Sequence, residues 1–388
     1  MNIAILIPSL ATGGAERAAV ILGNYYVDHG HAVYYFLFAN SGRVSFDAKG
    51  NIIKTHVAYP FSENLREKDN VRELFFAARS FRKLKKIYNI DVSISFMEGA
   101  NFVNVCSRSR DKIIISVRTV LSERHEISGI PYDSKWIRRV YSKADKLVSV
   151  SDYVKDDLSR HYKLSRSSIV SIPNVSYVHK PLDENQEWNY GDYAILSVGR
   201  LDPVKQQDRI IRSFQYVHKS FPSSKLIIIG DGKQRDYLEN ICNEMGVEEC
   251  VVFVGSTKDV GFYLSHARAF VMASRVEGFP NAMVEAMAYS VPVITTDSPG
   301  GCGEIVGRMS PSKDIQYCEY GIVTPYMCGE CPRSTVMESS EELLGEAMLK
   351  LLTDDELYKQ FSLKSKERSE YYKLDNIMTK WNDVIGVK

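Results

Sequence analysis

The chain has 388 residues, of which 44% are hydrophobic and 25% charged, with a formal net charge of +1. This length predicts two domains, and the composition excludes long-range disorder. No apolar run approaches the roughly 18 residues that span a bilayer. The run from Met1 to Pro8 has neither a basic region nor a cleavage site, so it predicts a buried strand, not a signal peptide, in a cytoplasmic protein.

Charge is distributed unevenly along the chain. Residues 1–180 contain 27 lysines and arginines against 17 aspartates and glutamates, whereas the remaining residues contain 22 against 31. A basic half favours contact with an anionic surface, for which nucleic acid and an anionic membrane leaflet are the candidates. No zinc-finger spacing or RNA-binding signature accompanies the charge, so we expect no nucleic-acid partner.

Short β-branched runs alternate with amphipathic stretches in the first half of the chain. This alternation predicts parallel strands covered by helices. The predicted strands are 2–8, 32–38, 92–96, 113–117, 146–151 and 168–173, and the predicted helices are 15–28, 71–88 and 135–142. They define a first Rossmann-like domain over residues 1–175.

The same pattern restarts after a polar stretch of little periodicity, 176–191, which we interpret as a linker. A second Rossmann-like domain, 192–370, has predicted strands 193–198, 225–229, 251–254, 269–272 and 291–295, and helices near 205–219, 232–245 and 280–289. The strand runs are nearly all apolar, as expected for strands covered on both faces. The sequence thus predicts an α/β protein of two doubly wound parallel-sheet domains that face a ligand-binding cleft.

The first chemical motif places Gly13 and Gly14 between the first predicted strand and the first predicted helix. Paired glycines let backbone N–H groups approach a phosphate or a sugar, and the helix N-terminus favours a negative charge. A tight strand–helix turn is the alternative interpretation. The spacing is not G-x-G-x-x-G, and no acidic residue ends the second strand, which disfavours a nicotinamide site and an oxidoreductase.

The second motif, Gly199-Arg200-Leu201 followed by Lys205, ends the first strand of the second domain. Arg200 and Lys205 bracket a turn at the C-terminal edge of that strand. Two cations there can replace a metal ion in neutralising a diphosphate leaving group. A solvated turn is the alternative for an isolated pair of this kind.

The third motif runs from Glu277 to Glu285, between a predicted strand and a predicted helix. Pro280 suits the first helical position, which leaves the N–H groups of the first turn available to a ligand. Two carboxylates so placed can hold hydroxyl groups on two parts of one ligand, such as a sugar and a ribose. Glu285 stands among apolar residues, where an unpaired carboxylate is unfavourable, so an exposed position explains it poorly.

In this order and spacing, the three motifs resemble the retaining glycosyltransferases of family 4, which have the GT-B fold. The E-x7-E pattern, the G-R-L…K turn and the N-terminal G-G-A-E-R carry the resemblance, and Ser151-Asp152 and Pro173-Asn174 add weaker matches. It covers almost the whole chain and is closest to the branch that builds bacterial O-antigen, capsule or other lipid-linked glycans. The resemblance implies a retaining hexosyltransferase that takes a hexose or N-acetylhexosamine from a nucleotide diphosphate sugar, by family frequency a UDP-sugar. The implied acceptor is either a glycan or an acceptor linked to polyprenyl diphosphate.

The resemblance also assigns residue roles. Arg200 and Lys205 contact the donor diphosphate, Glu277 contacts the hydroxyls of the transferred sugar, and Glu285 contacts the ribose hydroxyls. Further donor contacts are implied for Gly13 and Gly14 beside the diphosphate, for Gly255 and Ser256 beside the base, and for Gly278, Phe279, Pro280 and Asn281 beside the sugar. The final segment, 371–388, is expected to cross back to the first domain, with Ile377, Trp381 and Ile385 on one helical face.

The sequence departs from the family pattern at the position where many members have a histidine near the sugar. Here the stretch reads Ser116-Val117-Arg118-Thr119. Arg118 either contacts an acceptor or donor phosphate or is structural. His125 either compensates for the missing histidine or lies on a surface loop. Residues 308–339 form a longer segment than the family has there, and we assign it no function.

We expect no metal ion and no cofactor beyond the donor. No Asp-x-Asp occurs in the chain, whereas metal-dependent GT-A transferases hold their ion with such a pair. Four of the seven cysteines, Cys302, Cys318, Cys328 and Cys331, lie within 30 residues, and the last two form a C-x-x-C. One such pair without a second favours incidental thiols over a structural zinc site.

Two basic segments, 79–86 and 135–139, lie in the first half of the chain, and the second places Trp136 among its cations. A solvated helix face is the alternative for each. Because a lipid-linked acceptor is implied, we expect peripheral binding at the inner face of the cell membrane. A nucleotide-sugar epimerase on the same fold and a catalytically inactive membrane scaffold remain alternative functions.

Overall fold

The computed structural model describes residues 1–11, 13–39, 44–59, 67–123, 134–178, 187–311, 313–332 and 335–387, with backbone alone for 67–71 and 134. Contacts between residues divide the chain into two compact units, Met1–Val175 with Leu374–Lys388, and Ser176–Lys373. The stretch 176–191 falls in the second unit, and its residues 179–186 lie outside the described residues. Within the described part of the chain, no helix is long and apolar enough to cross a membrane.

The first unit contains a sheet whose strands alternate with helices along most of the sequence. Its strands are β1 Asn2–Ile7, β2 Ala32–Leu37, β3 Asn51–Lys54, β4 Val92–Phe96, β5 Lys112–Val117, β6 Lys146–Ser149 and β7 Ile169–Ser171. Its described helices are α1 Gly14–Asp28, α2 Glu67–Ile87, α3 Glu98–Cys106, α4 Ser134–Tyr141, α5 Asp152–Tyr162 and the C-terminal α13 Leu374–Ile385.

All seven strands of this sheet are parallel, in the order β3-β2-β1-β4-β5-β6-β7. The order reverses at β1, as in doubly wound folds. Strands β1 and β4 are fully or nearly fully buried, because helices cover both faces. The sequence did not predict β3, a short and largely exposed edge strand.

Helix α13 packs into the core of the first unit although it follows the whole of the second unit in sequence. Ile377, Trp381 and Ile385 are buried against residues of β1 and β4. The hydroxyl of Tyr26 donates a hydrogen bond to the side-chain oxygen of Asn382 at 2.8 Å. The shared helical face therefore completes the hydrophobic core beside α1.

The second unit also alternates strands and helices. Its strands are β8 Ala194–Val198, β9 Lys225–Ile229, β10 Val251–Gly255, β11 Ala269–Met272, β12 Val293–Thr296, β13 Gln316–Tyr317 and β14 Ile322–Thr324. Its helices are α6 Gln207–Ser220, α7 Arg235–Met245, α8 Val260–His266, α9 Asn281–Ala288, α10 Cys302–Val306, α11 Ser339–Thr353 and α12 Asp355–Glu370.

The second sheet has the order β10-β9-β8-β11-β12-β14-β13. Six of its strands are parallel, and β13 pairs antiparallel with β14 at the edge. The sequence did not predict these two short strands, which lie in the long 308–339 segment. The prediction of an α/β fold with two doubly wound parallel sheets is confirmed.

Lys85 is not part of the basic face predicted over residues 79–86. Its side chain is buried on α2 and forms an ion pair with Asp111 at 2.9 Å. It also donates to the side-chain oxygen of Asn104 at 2.7 Å, and Ser93 donates to Asp111 at 2.5 Å. Burial lowers the pKa of Lys85 to about 8 despite the carboxylate beside it. A lysine that the sequence placed on the surface thus belongs to a buried polar network.

A second buried network joins α6 to α11 in the second unit. Arg212 donates to both carboxylate oxygens of Glu341, at 2.7 and 3.0 Å, and Arg209 donates to the same carboxylate at 2.8 Å. The two arginines also donate to the carbonyl oxygens of Glu330 and Val336. The ionic network therefore fixes the end of the 308–339 segment to the body of the unit.

We expect Glu341→Gln to lower the free energy of unfolding by about 3 kcal/mol at pH 7, since the buried Arg212 loses its carboxylate and the buried Arg209 keeps only its ion pair with Glu338. Burial alone would raise the pKa of Glu341, but hydrogen bonds from Arg212 and Arg209 outweigh it and hold that pKa below its ordinary value. In the unfolded chain a glutamate has a pKa of about 4.3, and above that pH the Glu341 carboxylate stabilises the fold. This stabilisation is lost as the pH falls through the lower pKa that Glu341 has in the folded protein.

Urea unfolding between pH 7 and pH 3 measures both effects. The variant should be less stable at pH 7 and should lose less stability on acidification than the wild type does. Glu346→Gln on the exposed side of the same helix is the matched control and should change neither quantity. Equal stability of the Glu341→Gln and Glu346→Gln variants would contradict the role given to this network.

Candidate active site

The motifs of the second unit meet at one edge of its sheet. The Arg200–Lys205 turn follows β8, the Glu277 loop follows β11, and the Pro299-Gly300 loop follows β12. Strands β8, β11 and β12 are neighbours and parallel, so their carboxyl ends lie side by side. Ligands of open α/β sheets bind at this edge.

Lys205 and Glu277 form the centre of this site. The ammonium group of Lys205 donates to Oε1 of Glu277, and the hydroxyl of Ser274 donates to the same oxygen at 2.9 Å. The two charged side chains keep only 25% and 12% of their surface exposed. Burial opposes the charge on Lys205, but the Glu277 carboxylate outweighs it and raises the pKa of the lysine. Lys205 is therefore cationic at neutral pH.

The backbone of Glu277 is held by the loop that follows β12. Its N–H donates to the carbonyl of Pro299 at 3.1 Å, and the N–H of Gly301 donates to the carbonyl of Glu277 at 2.9 Å. Gly300 has φ of +124°, and a Cβ at this position would lie 1.7 Å from the carbonyl oxygen of Glu277. Only glycine fits this close approach.

The side chains of Arg200 and Lys205 do not share the same surroundings, although the sequence predicted that the two cations act together. Its side chain is 83% exposed and contacts Asp202 at 3.2 Å. The carbonyl oxygen of Arg200 accepts a hydrogen bond from Gln207 at 2.9 Å, which fixes the turn. Lys205 therefore forms an ion pair with Glu277, whereas the guanidinium of Arg200, at the start of the same turn, is exposed to solvent.

Helix α9 supplies the second carboxylate of the motif. Glu285 is only 6% exposed and lies among buried apolar residues of the helix. Pro280 is the residue immediately before the helix, one position earlier than predicted, and the helix has no side-chain cap. Phe279 is buried and packs edge-on against Tyr372, with ring centroids 5.4 Å apart. This packing fixes the Gly278–Asn281 segment beside Glu277.

The residues predicted to border the base lie farther along the same sheet. Gly255 ends β10 with φ of +80°, and the exposed Ser256 follows it. Strand β9 separates β10 from β8 in the sheet. The N–H of Gly230 donates to the carbonyl of Gly255 at 2.9 Å, which ties the ends of β9 and β10 together.

The remaining predicted residues belong to the first unit. Gly13 and Gly14 lie at the start of α1, directly after the loop from β1. Arg118 follows β5 and is half-buried, with hydrogen bonds to Ser116 and Asn174. His125 lies outside the described residues.

Sequence reasoning missed Ser274 and the role of Gly300. Ser274 stands three residues before Glu277 and shares its loop, and the Pro-Gly-Gly run at 299–301 follows the next strand. A serine or a Pro-Gly-Gly run after a strand indicates a tight loop. The sequence does not indicate that these two loops contact Glu277. The thiol of Cys302 lies nearby, and burial raises its pKa to about 12, so it is not a thiolate at neutral pH.

The cysteines of the 302–331 region do not form a metal cluster in the described part of the chain. Among those residues, no group of three or more His, Cys, Asp or Glu side chains is placed to hold an ion. Cys302 is buried, Cys328 is exposed, and burial raises the pKa of Cys331 to about 12. All seven cysteines are free thiols.

Two family models match the chain, one on each side of the unit boundary. Glycosyltransferase Family 4 matches residues 12–175, and Glycosyl transferases group 1 matches residues 180–310. Together with the two-sheet fold, these matches support a glycosyltransferase of the GT-B fold.

Proteins of similar sequence are also named as glycosyltransferases. An uncharacterized glycosyltransferase of Methanocaldococcus jannaschii is 30% identical over 261 residues, which make up 63% of this chain and 64% of the relative. A Campylobacter jejuni protein is 25% identical over 96% of this chain and 95% of its own. It is named N-acetylgalactosamine-N,N'-diacetylbacillosaminyl-diphospho-undecaprenol 4-alpha-N-acetylgalactosaminyltransferase.

Solved structures share the fold over the full length. Anabaena HepE, in complex with UDP and glucose, superposes with a TM-score of 0.75, covering 100% of this chain and 100% of that chain. The two sequences are 16% identical, so this likeness establishes the fold alone. The predicted GT-B architecture is thereby confirmed.

Proposed function

We propose that this protein is a retaining glycosyltransferase of bacterial surface polysaccharide synthesis. It moves a hexose or N-acetylhexosamine from a UDP-sugar to a glycan acceptor linked to polyprenyl diphosphate. The observation that carries the proposal is the Lys205–Glu277 pair at the carboxyl edge of the second sheet. The undecaprenol-linked acceptor in the name of the Campylobacter jejuni relative and the UDP bound to Anabaena HepE support the choice of substrates.

The chemistry needs positive charge where the nucleoside diphosphate departs. Lys205 carries that charge in a partly buried setting, where electrostatic stabilisation is strong. Arg200 is exposed and long enough to turn toward a bound diphosphate from the same turn. These two cations supply the charge that a metal ion supplies in other transferases, so the proposed reaction is metal-independent.

The carboxylates then orient the donor. Glu277, fixed by Ser274 and by the Gly300 loop, accepts hydrogen bonds from the hydroxyls of the transferred sugar. Glu285 accepts from the ribose hydroxyls. The acceptor hydroxyl attacks the anomeric carbon on the face that the diphosphate leaves, and a donor phosphate oxygen takes its proton. The C–O bond to the diphosphate breaks as the new glycosidic bond forms, so the configuration is retained.

A thermal-shift screen of nucleotide sugars tests the donor. A donor at 100 times its dissociation constant stabilises the native state by about 2.7 kcal/mol, so we expect UDP-hexoses or UDP-N-acetylhexosamines to raise the Tm by several degrees. Lys205→Ala should lose most of this shift, whereas Lys219→Ala, an exposed lysine of α6, should keep it. If the nucleotide sugar raised the Tm of both variants equally, Lys205 would not contribute to donor binding. Conversion of the donor without acceptor would indicate an epimerase instead.

The first unit carries the surface proposed to meet the membrane. On α2, the cations Arg79, Arg82, Lys83 and Lys86 are exposed together with Phe76. On α4, Trp136 is 52% exposed beside further exposed cations. An apolar residue among cations suits the interface of an anionic leaflet, where each cation contributes on the order of 1 kcal/mol.

We expect the triple variant R79E/K83E/K86E to lose most of its binding to vesicles of anionic lipid, since it replaces three attractive charges with three repulsive ones. Co-sedimentation at low and physiological salt measures the loss. The control K219E/K359E/K373E makes the same change in charge on exposed lysines of the second unit and should still bind. Binding that ignores lipid charge and salt in the wild type would contradict the proposed membrane surface.

A further inference from the structure

The Cys328-Gly329-Glu330-Cys331 segment of the second unit carries two thiols of different exposure. Cys328 is exposed, whereas Cys331 is half-buried. The chain bends at Gly329 and Glu330, and Gly329 has φ of +84°. A tight turn holds its first and last Cα atoms within about 7 Å, and a disulfide needs a separation of about 4.4–6.8 Å. The spacing and the bends therefore suit a pair of thiols that closes into a disulfide.

A buried acid lies beside the less exposed thiol. The thiol of Cys331 lies next to the carboxyl group of Asp208 and the hydroxyl of Tyr237. Asp208, on the first turn of α6, is 8% exposed, and burial raises its pKa, which makes its carboxylate a stronger base than an ordinary aspartate. Burial also raises the pKa of Cys331, so this thiol is protonated at neutral pH. It reacts only when a neighbouring group takes its proton, and Asp208 is in place to do so.

The same segment is tied to the start of α6 by two hydrogen bonds. The side chain of Gln206 donates to the carbonyl oxygen of Met327 at 3.2 Å. Arg209 donates to the carbonyl oxygen of Glu330 at 2.8 Å. Gln206 directly follows Lys205 and has a left-handed backbone with φ of +50°, which is unfavourable for a residue with a side chain. The turn that carries Lys205 therefore depends on this support.

From this arrangement we infer that Cys328 and Cys331 form a reversible disulfide by exchange with a small-molecule disulfide, and that the new bond weakens donor binding at the Lys205 turn. Asp208 is the group that accepts the proton of Cys331. The dithiol site does not depend on which reaction the protein catalyses. Only the effect on the donor rests on the proposed function.

The exchange proceeds in two steps. The thiolate of the exposed Cys328 attacks one sulfur of the small disulfide, whose S–S bond breaks, so that one thiol leaves and a mixed disulfide remains on Cys328. Asp208 then takes the proton of Cys331, and the Cys331 sulfur attacks Sγ of Cys328 and releases the second thiol. The first departing sulfur takes up the proton that Cys328 lost to solvent, and the second takes up the proton held by Asp208. Two cysteine thiols are oxidised to one disulfide, and the small disulfide is reduced to two thiols.

Closure of the disulfide changes the support of α6. It draws Cys331 away from Asp208 toward Cys328, and the carbonyl of Glu330 between the two cysteines moves with it. The hydrogen bond that Arg209 donates to this carbonyl is then lost. Loss of one such bond changes an equilibrium about fivefold or more. We therefore expect the disulfide form to bind the donor at least about fivefold more weakly than the dithiol form.

Mass spectrometry of the reduced full chain, incubated with glutathione disulfide, tests the dithiol site. We expect a glutathione adduct on Cys328, followed by a product that has lost two hydrogen atoms and carries the Cys328–Cys331 cross-link, and excess dithiothreitol should reverse both. Cys331→Ser should stop at the adduct. Cys106→Ser, which changes an exposed cysteine of the first unit, is the matched control and should close as the wild type does. Adduct formation without the cross-link in the wild type would overturn the inference.

The rate of the second step tests Asp208. We expect Asp208→Asn and Asp208→Ser to slow closure at least about tenfold, so that the glutathione adduct accumulates, because each variant lacks the base. Asp236→Asn, which changes an exposed aspartate of α7, should close at the wild-type rate. A Tm for each variant confirms that it is folded. Closure at the wild-type rate in a folded Asp208 variant would show that Asp208 does not accept the proton.

Titration of UDP into both forms of the protein tests the effect on the donor. The oxidised wild type should bind at least about fivefold more weakly than the reduced wild type. The double variant C328S/C331S should bind as the reduced wild type does, with or without glutathione disulfide. Equal affinity of the two wild-type forms would overturn the effect on the Lys205 turn. If the cross-link forms but no nucleotide sugar binds either form, the proposed function fails and the dithiol site stands.

Discussion

Glu277→Gln is expected to slow sugar transfer by about 100- to 1,000-fold in a chain that stays folded, the usual loss when one preorganised electrostatic group is removed. The substitution keeps the size of the side chain but removes the charge that Lys205 and Ser274 contact. A neutral amide also donates as well as accepts, so it cannot make the hydrogen bonds that we propose between Glu277 and the sugar hydroxyls in the same way. The loss should appear in kcat, with UDP binding kept within a few-fold.

Initial rates with saturating donor and acceptor, together with titration of UDP, measure this prediction. Because Lys205 retains a quarter of its surface exposed, we expect the lost ion pair to cost only about 1–2 kcal/mol of stability. Glu248→Gln, which changes an exposed glutamate of the same unit, is the control and should transfer at the wild-type rate. A folded Glu277→Gln variant with the wild-type kcat would contradict the proposed role of Glu277 in orienting the transferred sugar.

Gly300→Ala should cause a comparable loss of transfer through the backbone. The added Cβ would lie 1.7 Å from the carbonyl oxygen of Glu277, so one of the two loops must move. The φ of +124° is also strained for any residue with a side chain. We expect a loss of about 3 kcal/mol or more in stability, from strain and overpacking together, and at least a 100-fold lower kcat because Glu277 is displaced.

Gly246→Ala is the matched control for the backbone effect. Gly246 also has a positive φ, of +65°, but a Cβ there meets no atom within 4 Å. It should lose only about 1 kcal/mol from the left-handed conformation and should transfer sugar normally. If Gly300→Ala transferred sugar as Gly246→Ala does, the loop after β12 would not position Glu277. Circular dichroism and a Tm for each variant exclude global unfolding as the cause.

The sequence predicted the buried strands well because their signal is local. Short, nearly all apolar runs such as those of β9 and β11 are typical of strands covered on both faces, and their predicted bounds match the structure. Helix α3 was missed because nearly all its residues are buried, including Asn101 and Asn104, so no amphipathic period marks it. The edge strand β3 was missed for the opposite reason, since it is largely exposed.

The sequence predicted which residues form the candidate site, but not which of their side chains contact each other. The motif spacing singled out Lys205 and Glu277, yet their contact joins residues 72 positions apart, and only the fold brings them together. The same holds for Lys85, whose sequence neighbours are basic and whose partner, Asp111, lies in the loop before β5. Charges in a run indicate a surface, whereas a long-range partner decides which of them is buried.

The place of α13 in the first unit has a consequence for how the protein is made. Translation delivers Met1–Val175 first, and the helix that covers its core, with Trp381, emerges from the ribosome about 200 residues later. Until then the nascent unit presents an uncovered apolar surface that chaperones can bind. Removal of Leu374–Ile385 would therefore destabilise the first unit more than the second, although the helix follows the second unit in sequence.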